Sequence, residues 1–169
     1  MARKYTLSAS SDEDFQLIGI ATQLRDYRLC HQLNKNLYLD LEKLDDLNAE
    51  LSQEGTFGNF SFFHYRKPEN YIDFFLIANK SSDGILLPEL KQADYFLVIH
   101  GPFPNESLDR FIKTSKSLPG VLASFLIDIT KPKKIDAFLM ELELHVLSHL
   151  SKKKGKHQIT NKHQNTSTK

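Results

Sequence analysis

Four charged side chains are the strongest candidates for chemistry, because the predicted fold can bring two acids and two bases together. Glu89 and Asp94 lead into an apolar run, Tyr95-Phe96-Leu97-Val98-Ile99, that is typical of a strand buried on both faces. Arg25 and Arg28 belong to the start of a predicted helix. A guanidinium group offers a planar fork of donors that suits a carboxylate. We therefore predict a polar cluster in which Arg28 bridges to Asp94.

The sequence allows two interpretations of the role of this polar cluster. A partly buried ion pair that fixes how helix and strand dock is one interpretation, since buried carboxylates need partners. A small-molecule or enzymatic site around Arg28, Glu89 and Asp94 is the other, because burial shifts carboxylate pKa values toward acid–base use. No residue spacing specifies a reaction, so we assign no catalytic residue and expect no cofactor.

His145 and His149 are one helical turn apart, and Glu141 is one turn before them, so all three could face a metal ion. The His-Glu-x-x-His spacing of zinc proteases is not met, because Val146 stands at the glutamate position. By helical angle His149 falls within an apolar stripe and His145 at its margin. We interpret both as core-edge residues and predict no metal site. Cys30 also occupies an apolar helical position and is interpreted as a small buried residue rather than a nucleophile.

The charge of the chain is divided between an acidic body and a basic C-terminal tail. The formal net charge is +1, but residues 151–169 contain six lysines and no acid, which leaves 16 basic and 21 acidic side chains in residues 1–150. We predict that residues 151–169 form a disordered, solvated tail. An acidic body repels a phosphate backbone. Nucleic-acid contact is therefore expected only through the tail, at Lys152, Lys153, Lys154 and Lys156.

The apolar spacing predicts an alternation of strands and helices along the chain. The predicted strands cover residues 15–21, 60–65, 71–78, 94–100 and 121–127, and the predicted helices cover residues 26–37, 105–117 and 133–150. Gly19 lies inside the first strand, where a glycine marks a bulge or the close approach of another group.

Residues 38–56 are ambiguous. The spacing of five leucines fits a helical stripe, at Leu37, Leu41, Leu44, Leu47 and Leu51. However, Leu37, Leu39 and Leu41 also alternate as in a strand. We favour a short helix followed by an irregular acidic segment. The order of elements predicts an α+β fold, with a single mostly antiparallel sheet of about five strands and helices packed on one side, in a loosely ferredoxin-like arrangement.

One nine-residue stretch resembles a family motif. Leu87-Pro88-Glu89-Leu90-Lys91-Gln92-Ala93-Asp94-Tyr95 is similar to the motif that names the IPExxxVDY family, with Leu87 in place of Ile and Ala93 in place of Val. Asp26-Tyr27-Arg28-Leu29-Cys30, followed by Leu33-Asn34, resembles a second stretch of that family, and the resemblance covers roughly residues 12–130. It implies a small bacterial protein of the Bacteroidetes and brings no catalytic residue, cofactor or substrate with it.

The length of 169 residues predicts one domain. We divide the chain into a frayed N-terminus at residues 1–12, a single α+β domain at 13–150 and the tail at 151–169. No apolar run has the length of a signal peptide or a membrane span, so we expect a cytoplasmic protein without membrane contact.

The leading functional hypothesis is a non-enzymatic protein-binding or adaptor module that contacts a protein partner or a second copy of itself. Leu144 and Leu147 lie off the apolar stripe of the last predicted helix, so we predict that they contact a partner. The small-molecule site described above is the second hypothesis. RNA association through the lysines of the tail is the third.

Overall fold

The computed structural model of the protein describes residues 15–51, 54–130 and 133–162, and within the last helix it describes the side chains of residues 134–152. In chain order the elements are β1 (Phe15–Thr22), α1 (Asp26–Leu37), β2 (Glu42–Lys43), β3 (Leu47–Glu50), β4 (Phe57–Phe60), β5 (Phe62–Lys67), β6 (Ile72–Ala78), a 3-10 helix (Pro88–Leu90), β7 (Tyr95–His100), α2 (Asn105–Lys116), β8 (Val121–Ile127) and α3 (Lys133–Lys162). The predicted α+β class is confirmed.

The apolar run before Gly101 forms an interior strand, as predicted. β7 pairs with β1 on one side and with β6 on the other, and both pairings are antiparallel. The main sheet has six antiparallel strands in the order β2–β5–β6–β7–β1–β8, against about five predicted, and β3 and β4 form a separate two-stranded hairpin. All side chains of residues 96–99 are fully buried. Because neighbouring side chains of a strand point to opposite faces, both faces of the sheet must be covered.

Helices cover the two faces of the sheet, so the prediction that they pack on one side is wrong. α1 and α2 cover one face, where Leu29 and Leu108 join a core cluster with Leu97 of β7. α3 and the β3–β4 hairpin cover the other face, where Phe138 packs on Phe96 with ring centroids 5.8 Å apart. A helical stripe shows that a helix is buried on one side, but it does not show against which face of a sheet.

Residues 38–56 contain strands instead of the short helix that we predicted. α1 ends at Leu37 because Tyr38 adopts a left-handed conformation with φ of 55°. The side chain of Asn34 then bonds both backbone groups of Leu41, at 2.9 and 3.1 Å, and this turns the chain toward β2. In β3, Leu47 and Ala49 are buried while their neighbours are exposed. Leu37, Leu39 and Leu41, whose alternation also fitted a strand, lie at the end of α1 and in the connection to β2, so neither of the two patterns predicted the strands of this segment.

Gly19 makes room for an aromatic ring, which is one of the two outcomes expected for a glycine inside a strand. A Cβ atom at this position would lie 2.7 Å from Cε2 of Phe125 on the neighbouring strand β8. The ring therefore takes the space that a side chain of β1 would fill.

α3 extends further than the predicted end at residue 150. It contains 30 residues, which corresponds to a length of about 45 Å. Residues 151–162, which we assigned to a disordered tail, are helical, while residues 163–169 and the predicted frayed segment 1–12 lie outside the described residues. None of the helices in the described part of the chain is long and apolar enough to cross a membrane.

Candidate functional site

Asn79, directly after β6, organises the segment that carries the family-like motif. Its side chain is fully buried. The Oδ1 atom accepts a hydrogen bond from the backbone N–H of Leu87 at 2.8 Å, and Nδ2 donates to the carbonyls of Leu90 at 3.1 Å and Ala93 at 3.0 Å. These bonds satisfy the backbone of an irregular segment inside the core. Sequence reasoning missed this residue, whose only signal was a lone amide that follows the apolar run of β6.

Asp94 ties strands together and does not pair with Arg28. Its Oδ2 atom accepts a hydrogen bond from the backbone N–H of Thr22 at 2.8 Å, and its Oδ1 atom accepts one from Nζ of Lys80 at 2.6 Å. Arg25 and Arg28 are both exposed, and no ion pair within the described residues involves either of them. The predicted bridge from Arg28 to Asp94 is therefore not formed. The carboxylate joins the start of β7 to the end of β1.

The remaining members of the predicted cluster do not converge on a cavity. Glu89 is exposed in the 3-10 helix, and Arg28 lines a shallow surface depression of about 500 Å³ together with Tyr27 and His31. Neither Glu89 nor Asp94 lines that depression. The geometry thus gives no support to a small-molecule site around these charges.

Cys30 lies in the core of the α1 face. Its Sγ atom is 3.5 Å from the carbonyl oxygen of Leu41. Burial, and to a smaller extent the nearby carboxylate of Asp26, raises the pKa of the thiol to about 11. The thiol is the nucleophile only after ionisation, so this environment suppresses its reactivity.

We expect Cys30 of the folded protein to react with iodoacetamide at about pH 8 at least ~100-fold more slowly than the unfolded chain. With a pKa of about 11, roughly one thiol in a thousand is ionised at that pH, against about one in ten at the ordinary pKa of 9.0. The rate in the folded protein should still rise above about pH 9, where the unfolded chain levels off. Mass spectrometry of timed samples measures both rates, and equal rates would contradict the buried position.

The two histidines of α3 contact the loop between β2 and β3. Nε2 of His145 lies 2.8 Å from the carbonyl oxygen of Asp45, and its ring packs edge-on against Phe62 at 4.7 Å. Nδ1 of His149 and Nζ of Lys152 lie 3.9 and 3.7 Å from Oδ2 of the same Asp45. Both histidines are half-buried and hold the helix to this loop. No group of three His, Cys, Asp or Glu side chains suited to a metal ion occurs among the described residues.

α3 has a second apolar side that faces away from the sheet. Met140 is 63% exposed, Leu144 and Leu147 are each 59% exposed, and Leu150 is 44% exposed at the margin. Residues spaced by three or four positions are neighbours on a helix surface, so these side chains form one continuous strip. We call it the outer stripe of α3. The predicted partner contacts Leu144 and Leu147 lie at its centre.

A cleft of about 380 Å³ opens on the opposite face of the sheet. It lies between the end of α1, one side of α2 and the turn between β5 and β6, and we call it the α1–α2 cleft. Phe74, Phe103 and Phe111 are among its apolar lining residues, and Lys67 and Arg110 are the charged ones. Sequence reasoning did not find it, because residues from distant parts of the chain form it.

No protein-family model matches the chain, and no curated protein matches it in sequence. The fold defines the class of the protein as α+β, and its described residues form a six-stranded antiparallel sheet and three α-helices. The resemblance to the IPExxxVDY family stays a prediction from the sequence.

Proposed function

We propose that the protein is a non-enzymatic binding module that self-associates through the outer stripe of α3. The observation that carries this proposal is that the helix is apolar on two opposite sides. Ile135, Phe138 and Leu142 are buried against the sheet, while Met140 and Leu144 are exposed on the other side. A helix that is apolar all round is usually buried all round, and a large exposed apolar patch marks an interaction site.

The distribution of charge along α3 favours a second copy of the same helix as the partner. α3 begins with Lys133 and Lys134, and the next turns carry three acids, Asp136, Glu141 and Glu143, whereas residues 151–162 contain five lysines and no acid. In a symmetric dimer with antiparallel helices, the three acids of each copy lie toward the lysines of the other. A parallel pair brings like charges together. Leu144 and Leu147 then lie nearest the two-fold axis.

The double substitution Leu144→Glu with Leu147→Glu should convert the dimer into a monomer. Both side chains are exposed and glutamate is a good helix former, so the fold of each copy is expected to persist. Four buried negative charges would face one another across the axis, and like charges in an interface cost several kcal/mol. Size-exclusion chromatography with light scattering measures the mass, and circular dichroism checks the fold.

The matched control is Leu122→Glu with Leu126→Glu on the edge strand β8, where the two leucines are 69% and 54% exposed. This variant should remain a dimer. Loss of the dimer only in this control would place self-association at the open edge of the sheet, where unpaired backbone groups can pair with a second copy. That result would overturn the proposal, as would an unsubstituted protein that is monomeric at about 100 µM.

We propose a cytoplasmic protein of the IPExxxVDY family with a ferredoxin-like core. The last point is supported by the strand order β8–β1–β7–β6 and by α1 and α2, which pack on one face of those strands.

A further inference from the structure

We propose that the α1–α2 cleft binds a small organic anion, with a flat apolar body on the aromatic floor and a carboxylate or phosphate at the basic rim. This site lies on the face of the sheet opposite α3, so it does not depend on self-association. Its volume of about 380 Å³ falls within the range of known small-molecule sites, about 300 to 1,000 Å³.

The cleft lies where the end of α1 meets one side of α2 above the sheet. α1 ends at Leu37, where the left-handed conformation of Tyr38 turns the chain away. α2 begins at Asn105, after Pro104. Ile72 and Phe74 of β6 form part of the lining, together with Lys67 at the end of β5 and Asn70 in the turn that follows.

Three phenylalanines form the apolar floor. The ring of Phe103 packs edge-on against Phe74 at 5.8 Å and against Phe111 at 4.9 Å, while Phe74 and Phe111 are nearly parallel at 5.9 Å. Phe103 and Phe111 are only partly buried, so part of each ring remains open to the cleft. Rings held in this way offer both faces and edges to a planar apolar group.

The rim carries positive charge that no acidic side chain of the cleft offsets. Lys67 and Arg110 line the cleft, and none of the other lining residues is Asp or Glu. No ion pair within the described part of the chain involves either cation. The first turn of α2 also lines the cleft through Ser107, and the positive end of the helix dipole adds to the same potential. An anion at the rim is attracted by both cations and can accept two hydrogen bonds from the guanidinium group of Arg110.

Tyr38 also lines the cleft, and its side chain is 91% exposed. Its φ of 55° is the left-handed conformation that ends α1. An exposed aromatic ring at this position is available to contact an occupant of the cleft.

The test is a titration of the full chain, followed by NMR, with 2-naphthoate, 2-naphthyl phosphate and the neutral 2-naphthalenemethanol. Both anions should give saturable shifts at Tyr38, Asn70 and Phe111, and the better of the two identifies the preferred headgroup. The neutral alcohol should bind at least about tenfold more weakly, which corresponds to about 1.4 kcal/mol.

Substitution of the two cations that line the cleft distinguishes recognition of the ligand's charge from simple apolar contact. Lys67→Met and Arg110→Met should each weaken binding of the anions by about tenfold and leave the alcohol unaffected. The matched control is Lys113→Met, which removes an exposed cation of α2 that does not line the cleft, and it should change neither affinity. Three results would overturn the proposal: no saturation below about 10 mM, equal affinity for anion and alcohol, or shifts centred on Tyr27 and His31.

Discussion

Asn79→Ala should lower the free energy of unfolding by about 3 to 5 kcal/mol, one of the two largest effects expected for a single substitution in this protein. The buried amide bonds the backbone groups of Leu87, Leu90 and Ala93. Alanine leaves the backbone N–H of Leu87 and the carbonyl of Ala93 without a partner, and each such buried group costs about 1 to 3 kcal/mol. The carbonyl of Leu90 keeps its bond from the backbone N–H of Ala93 but loses the one from the amide. Asn79→Asp should be no better, because a carboxylate cannot donate to the two carbonyls.

Urea unfolding monitored by circular dichroism measures this effect. The double variant Leu144→Glu with Leu147→Glu is the suitable background, since dissociation of a dimer then does not contribute to the transition. The matched control is Asn48→Ala, which removes an exposed amide whose Nδ2 bonds Asn59, and it should change stability by less than about 0.5 kcal/mol. A loss below about 1 kcal/mol for Asn79→Ala would show that this residue does not organise the segment.

Phe96→Ala should also cost about 3 to 5 kcal/mol, because it removes a fully buried ring from the middle of β7. The cavity would open beneath α3, where Phe96 contacts Phe138. Phe57→Ala is the matched control, since Phe57 also lies in a strand but is 57% exposed, and it should cost less than about 1 kcal/mol. The same urea transition measures both. Similar losses for the two variants would contradict the position of α3 over the sheet.

The parts of the fold that depend on local spacing could be predicted from the sequence. The apolar run at residues 95–99 and the stripe of Leu29, Leu33 and Leu37 each identify an element by their own period. Residues 38–56 could not be assigned, because Leu37 and Leu41 fit both periods. The strands of this segment depend on pairing with β5 and β4, and the connection after α1 on the bonds from Asn34 to Leu41, none of which leaves a periodic signal.

The sequence contains an indication that both faces of the sheet are covered, which the apolar stripes of the single helices do not give. Phe74-Phe75-Leu76-Ile77 is fully or almost fully buried along its length, so both faces of β6 require cover. Which helix supplies that cover depends on contacts between distant parts of the chain. The same holds for the candidate sites. Leu144 and Leu147 were found from their helical angle, whereas the α1–α2 cleft and the role of Asn79 arise from residues that the fold brings together.

The position of β1 in the sheet has a consequence for biosynthesis. Within the described residues β1 is the first strand, yet it lies between the last two, β7 and β8, and Leu17 pairs with Ile127, 110 residues later. At translation rates of about 5 to 20 residues per second, about 5 to 20 seconds pass between the synthesis of β1 and that of β8, the second strand that pairs with it. The main sheet can therefore be completed only when nearly all of its residues have left the ribosome. Until then the nascent chain presents Leu17, Ile18 and Ile20 to any chaperone that binds extended apolar segments.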